Sequence, residues 1–205
     1  MDRKATHREP PAERSAVQHP DPTLVHWPQG AIFTVGHSTL PIELFIRLLH
    51  TYEIECLVDI RTIPRSRHNP QFSSDALAAS LAAEHIEYVH VPALGGLRHP
   101  GKESPNTGWR NPGFRGYADY MQTKAFQDAI EELIHMSFGK RVAIMCAEAV
   151  PWRCHRSLVA DALSVRGLPV IEILSETIYQ MHKLTPFAVV NGMQISYPPE
   201  QSSLL

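Results

Sequence analysis

The residues most able to do chemistry lie in one short stretch, Cys146-Ala-Glu-Ala-Val-Pro-Trp-Arg-Cys-His-Arg156. It combines two thiols, a carboxylate, an imidazole and two guanidinium groups, all on the loop that separates an apolar run from a helical pattern. A helix start carries free N–H groups and a partial positive charge, so Cys154 there would have its thiolate favoured. Arg153 and Arg156 add fixed cations suited to a carboxylate or phosphate. Three further stretches carry reactive types: Gly36-His37-Ser38-Thr39, the pair Asp59 and Arg61, and Pro64-Arg65-Ser66-Arg67-His68. His37 has the near-neutral pKa that acid–base work needs. Asp59 and Glu148 could divide nucleophile and acid–base roles, with Arg61 and Arg156 holding the anionic part of a nucleotide.

Each of these residues also has a structural reading. Asp59 and Glu148 can serve only to pair with nearby arginines, and His37 only to fix its turn. Cys56 lies in an apolar run and reads as core; Cys146 can be packing too. Six residues stand between Cys146 and Arg153, where cysteine phosphatases have five, and Glu148 inside the loop would repel phosphate. His37, Asp59, Cys146, Cys154 and His155 are metal-ligand types. Their spacing is neither a CxxC knuckle nor an HExxH helix, and no metal or other cofactor is assigned.

The elements that must position these groups follow from periodicity. Ala31–Gly36, Cys56–Ile60, Ile86–Val91, Arg141–Cys146 and Val170–Leu174 are short apolar runs that read as strands. Between them lie helical patterns: one after Thr39, with Thr39 as N-cap and Pro41 in its first turn; one after Ser73 or Ser74; one or two from Tyr117 to Ile134; and one from Arg156 to Val165, stopped by Gly167. Ala93 to Phe114 is rich in Gly and Pro and reads as loop. Alternating strands and helices predict a three-layer α/β domain, its mainly parallel sheet of about five strands covered by helices on both faces. Ligands of open parallel sheets bind beyond the carboxyl ends of the strands, and the reactive stretches all fall at such ends.

The chain has 205 residues, 43% hydrophobic and 20% charged, enough for one domain with a buried core. Residues 1–28 and 198–205 read as Pro-rich or flexible tails around a domain at 29–197. A formal charge of -2 advertises neither a nucleic-acid nor a membrane binder. Three cysteines exclude a disulfide scaffold, and no apolar run reaches the roughly 18–20 residues of a membrane span. With no signal-peptide pattern, a cytoplasmic location is expected.

Six stretches resemble the DUF488 family, a domain of unknown function: Thr34–Thr39, Leu57–Arg61, Pro64–Phe72, Pro92–Gly96, Phe114–Tyr120, and Cys146-Ala-Glu with Trp152–Arg156. The resemblance implies an α/β fold and points to Cys146, Glu148, Cys154, His155 and Arg156 as the family's signature. It supplies no reaction. The residues themselves suggest an enzyme acting on a phosphate-bearing or nucleotide-like substrate. His37, Asp59, Cys146, Glu148, Cys154 and His155 would be its catalytic candidates, and Arg61, Arg65, Arg153 and Arg156 its anion holders. The competing reading is a non-catalytic module that docks nucleic acid or a partner. It would use two basic loops, Arg61–His68 and Arg98–Arg115, the second interleaved with Trp109 and Phe114. A deep hollow favours the first reading; a shallow basic face with Trp109 exposed favours the second.

Overall fold

A computed structural model of the chain describes residues 20–199. The expected tail segments 1–19 and 200–205 lie outside the described residues. Inside them, Trp27 meets Phe33 and Tyr179 edge-on, with ring centroids 5.2 and 4.9 Å apart. An indole that precedes residue 29 thus packs on the core through Phe33, which is wholly buried.

The strands are β1 (Ile32–Gly36), β2 (Cys56–Asp59), β3 (Glu87–His90), β4 (Val142–Cys146), β5 (Val170–Ile173) and β6 (Tyr179–Met181). They form one sheet in the order β3-β2-β4-β1-β5-β6. The first five pair in parallel and β6 joins β5 antiparallel. A small hairpin, β7 (Val189–Asn191) with β8 (Gln194–Ser196), stands apart from it.

Side-chain alternation sends the strands' apolar residues to both faces. Phe33, Val35, Leu57, Ala143 and Met145 pack with Phe45, Leu48 and Leu49 of helix α1 (Ile42–Thr51) and with Leu77 and Leu81 of α2 (Ser74–Ala83). Ile32, Cys56, Val58, Ile144 and Cys146 face the other way. They meet α3 (Pro112–Tyr120), α4 (Lys124–Ser137) and α5 (Arg156–Ser164) through Tyr117, Phe126, Ile130, Leu158 and Val159. The architecture is the three-layer α/β fold expected, with one more, antiparallel, strand.

Local details depart from expectation at the first helix. Its N-cap is Pro41, not Thr39, because Ser38 adopts φ 46° and carries the chain one turn further before α1 begins. Gly167, at φ 81°, follows the end of α5 in the left-handed conformation that glycine adopts without strain. The strands β1 and β4 are neighbours, yet the chain leaves β1 through α1 on one face and β4 through α5 on the other. Two loops that part in this way open a crevice between them.

Candidate active site at the carboxyl ends of the strands

That crevice is a cavity of about 620 Å³ lined by all the reactive stretches: His37 and Ser38 after β1, Arg61 to Asn69 after β2, Gly96 and Leu97 after β3, and Cys146 to His155 after β4. Close backbone approach draws these loops together. A Cβ on Gly36 would sit 1.8 Å from the Glu148 carbonyl oxygen, so only glycine lets the β4 loop cross β1 there. At Gly96 a Cβ would sit 2.5 Å from His155 Nδ1. The missing side chain leaves room for the imidazole.

His155 is held at both ends. Its Nε2–H donates to the Ile60 carbonyl at 3.1 Å, which leaves Nδ1 with a bare lone pair. That nitrogen faces two sulfurs, Cys154 Sγ at 3.7 Å and Cys146 Sγ at 3.9 Å. All three atoms lie within 4.8 Å of one another. Both cysteines are buried and free of disulfides. The two thiols differ in acidity. The hydrogen bond to Cys154, with burial, pushes the Cys146 thiol up. The same bond lowers Cys154 against the opposing effect of burial, assisted by His155 and Arg156.

Other candidates are brought to the rim but occupied. Asp59, wholly buried, accepts Arg61 Nε at 2.9 Å, Arg61 Nη2 at 2.5 Å and the Tyr88 hydroxyl at 2.8 Å. It stands behind the cavity, not on its wall. Arg61 also reaches the Phe72 carbonyl at 2.8 Å, so its fork is committed inward. His37 donates from Nδ1 to the Ser38 carbonyl at 2.8 Å and accepts Arg61 Nη1 on Nε2 at 3.2 Å. Its ring stacks on Phe72 at 4.0 Å. Burial, against the pull of the Ser38 bond and with help from the Arg61 charge, takes the His37 pKa down to about 4. Both ring nitrogens are thus engaged within the protein.

Arg156 is likewise committed. Its side chain is wholly buried and donates to Thr34 Oγ1 at 3.0 Å and to the Glu148 carbonyl at 2.7 Å. It braces the β4 loop from behind and does not line the cavity. In the first turn of α5 the amides of Ser157 and Leu158 are bonded to the carbonyls of Cys154 and His155. What remains open to the cavity is the exposed Arg65 and Arg153, the exposed Glu148 carboxylate, and the polar groups of Ser38, Thr62, Asn69 and Asn111. Of these, Thr62, Asn69 and Asn111 carry no signal in the sequence beyond their position past a strand end or in the Gly- and Pro-rich loop.

In the basic loops Arg65, Arg67, His68, Lys102 and Arg110 are exposed, and two other cations turn inward. Arg98 lies over the Tyr120 ring at 3.7 Å, and Arg115 donates to the Trp109 carbonyl. Trp109 is half-buried against Phe114, Phe187 and Tyr197. Among the described residues, no helix is long and apolar enough to cross a membrane.

A scan of family models matches residues 41–163 to one described as Domain of unknown function DUF488. No curated protein and no solved structure matches the chain. The matched span runs from the cap of α1 to the last turn of α5 and so contains all of the cavity wall except the loop after β1.

Proposed function

This chain belongs to the DUF488 family, and we propose that it is an enzyme acting on a small phosphate-bearing or nucleotide-like substrate in the cavity at the carboxyl ends of the strands. One observation carries the reading. Two thiols and an oriented imidazole converge at a cavity whose wall also presents two arginines, Arg65 and Arg153, with no side-chain partner among the described residues. A free guanidinium beside a hollow is a fork waiting for an anion. A reactive cluster a few ångströms inward is where the anchored molecule would be changed.

The division of labour differs from the one the sequence suggests. Arg65 and Arg153 hold the anion; Arg61 and Arg156 shape the wall. Cys146, Cys154 and His155 form the reacting cluster, with the exposed Glu148 carboxylate on the same wall. The hollow and the inward-turned Trp109 favour an enzyme over a nucleic-acid docking face.

The test is a pool of nucleotides and small phosphate esters incubated with the purified chain and followed by mass spectrometry. One class of compound should be consumed, C154S should abolish its consumption, and the R65A/R153A pair should raise KM at least about tenfold, as expected for losing charge-assisted hydrogen bonds. A pool left unchanged, with no binding of phosphate or nucleotides by calorimetry, defeats the reading. Binding without turnover would turn it into the docking alternative.

A further inference from the structure

We infer that Cys146, Cys154 and His155 form a zinc site with three protein ligands and a fourth position open to the cavity. The inference deepens the reading above and depends on it only for the purpose the metal would serve. Its geometry stands alone.

The argument starts from ligand type. Zinc is borderline soft and is bound by thiolate and imidazole together. A tetrahedral ion with bonds of about 2.3 Å to sulfur and about 2.0–2.1 Å to nitrogen puts those ligand atoms about 3.5 Å apart. The two sulfur–nitrogen distances here are 3.7 and 3.9 Å. A contraction of a few tenths of an ångström would close the site.

Orientation is the second observation, independent of distance. A histidine that ligates a metal donates its other N–H to a carbonyl or carboxylate, which fixes the tautomer and aims the lone pair. His155 does this through Ile60, and the lone pair so fixed points at both thiols. Gly96 makes room for that ring position, since any Cβ there would collide with Nδ1.

The third observation is access. All three ligands line the cavity, so the fourth position faces the space where substrate would lie. Structural zinc is closed by four protein ligands; catalytic zinc keeps one place for water or substrate. Cys56, the remaining thiol, lies in β2 and does not line the cavity.

The full chain, purified with reductant and stripped by chelator, should be titrated with zinc against a chromophoric competitor and, separately, with cobalt. We expect one zinc per chain, and a cobalt spectrum with sulfur charge-transfer and tetrahedral bands. Zinc should slow alkylation of Cys146 and Cys154 and leave Cys56 unchanged, a readout that needs no variant. C146S and C154S should each weaken zinc binding more than about 100-fold, beyond the loss typical of a supporting partner. R153A should keep its zinc and lose anion affinity, so failure of the metal inference and failure of the substrate reading are separable. Less than a tenth of an equivalent bound, an octahedral cobalt spectrum, or recovery of a stable Cys146–Cys154 disulfide in place of metal uptake would overturn the site.

Discussion

Arginine illustrates how a residue's type is legible in a sequence when its task is not. Arg61, Arg65, Arg153 and Arg156 all sit at strand ends, and pattern alone makes them equal candidates for an anion. Burial separates them. Arg156 leaves Thr34 and two loop carbonyls without a donor if truncated, so Arg156→Ala should cost on the order of 3 kcal/mol in a denaturant midpoint, as for breaking a buried charged contact. Arg153→Ala, at an exposed position, should move the midpoint by less than about 0.5 kcal/mol. Equal shifts for the two would contradict the assignment of one to the wall and the other to the ligand. Asp59 and His37 were hidden in the same way. Their types suit catalysis, and only the bonds to Arg61, Tyr88 and Ser38 reveal that they are occupied.

At the scale of elements, the five parallel strands and the helices were readable because each carries an apolar run or a 3.6-residue pattern. The segment after β5 was not. Strands β6, β7 and β8 have three residues each and are largely exposed, so they show no alternation. One signal did exist: Asp161 and Glu172 stand among core positions of α5 and β5, where a carboxylate requires a partner. The partner is His182, between Asp161 Oδ1 and Glu172 Oε1 at 2.8 Å each. Gln180, Thr185 and Tyr197 complete the cluster, and the Arg156 charge acts on Glu172. Burial disfavours the imidazolium, but the two carboxylates outweigh it and raise the His182 pKa to about 9. The folded value lies above the unfolded one of about 6.5. The stabilisation is therefore complete below about pH 6.5 and is lost as pH rises through about 9, amounting to roughly 3 kcal/mol. Melting curves from pH 6 to 10 should show this decline in the native chain and a shallower one in His182→Gln. Parallel curves would place the pH response elsewhere. Gly96→Ala belongs to this scale too: it should displace the His155 ring and cost zinc affinity with only a small change in melting temperature.

For the whole molecule, the layer order and the gathering of four loops at one rim could be deduced from strand ends alone, because parallel sheets put all their βα loops on the same side. The sheet order, with β4 inserted between β1 and β2, could not, since periodicity says nothing about neighbours. Removal of residues 1–19 should leave the thermal transition within about 2 °C. Removal through residue 28 should lower it, because Trp27 leaves Phe33 and Tyr179 uncovered. A transition insensitive to both truncations would make the Trp27 contacts energetically idle.

The crevice has a rigid back and a replaceable front. Its rear is set by strand ends and by Gly36, where a Cβ would strike the backbone of the β4 loop. The other side is closed by Leu97 and Asn111 of the connection before α3 and by Gly113 and Phe114 in its first turn. Asn106 and Trp109 tie that connection to Tyr197 and the core, whereas Leu97 is exposed, so the mouth can change shape at its exposed positions while its anchors stay in place.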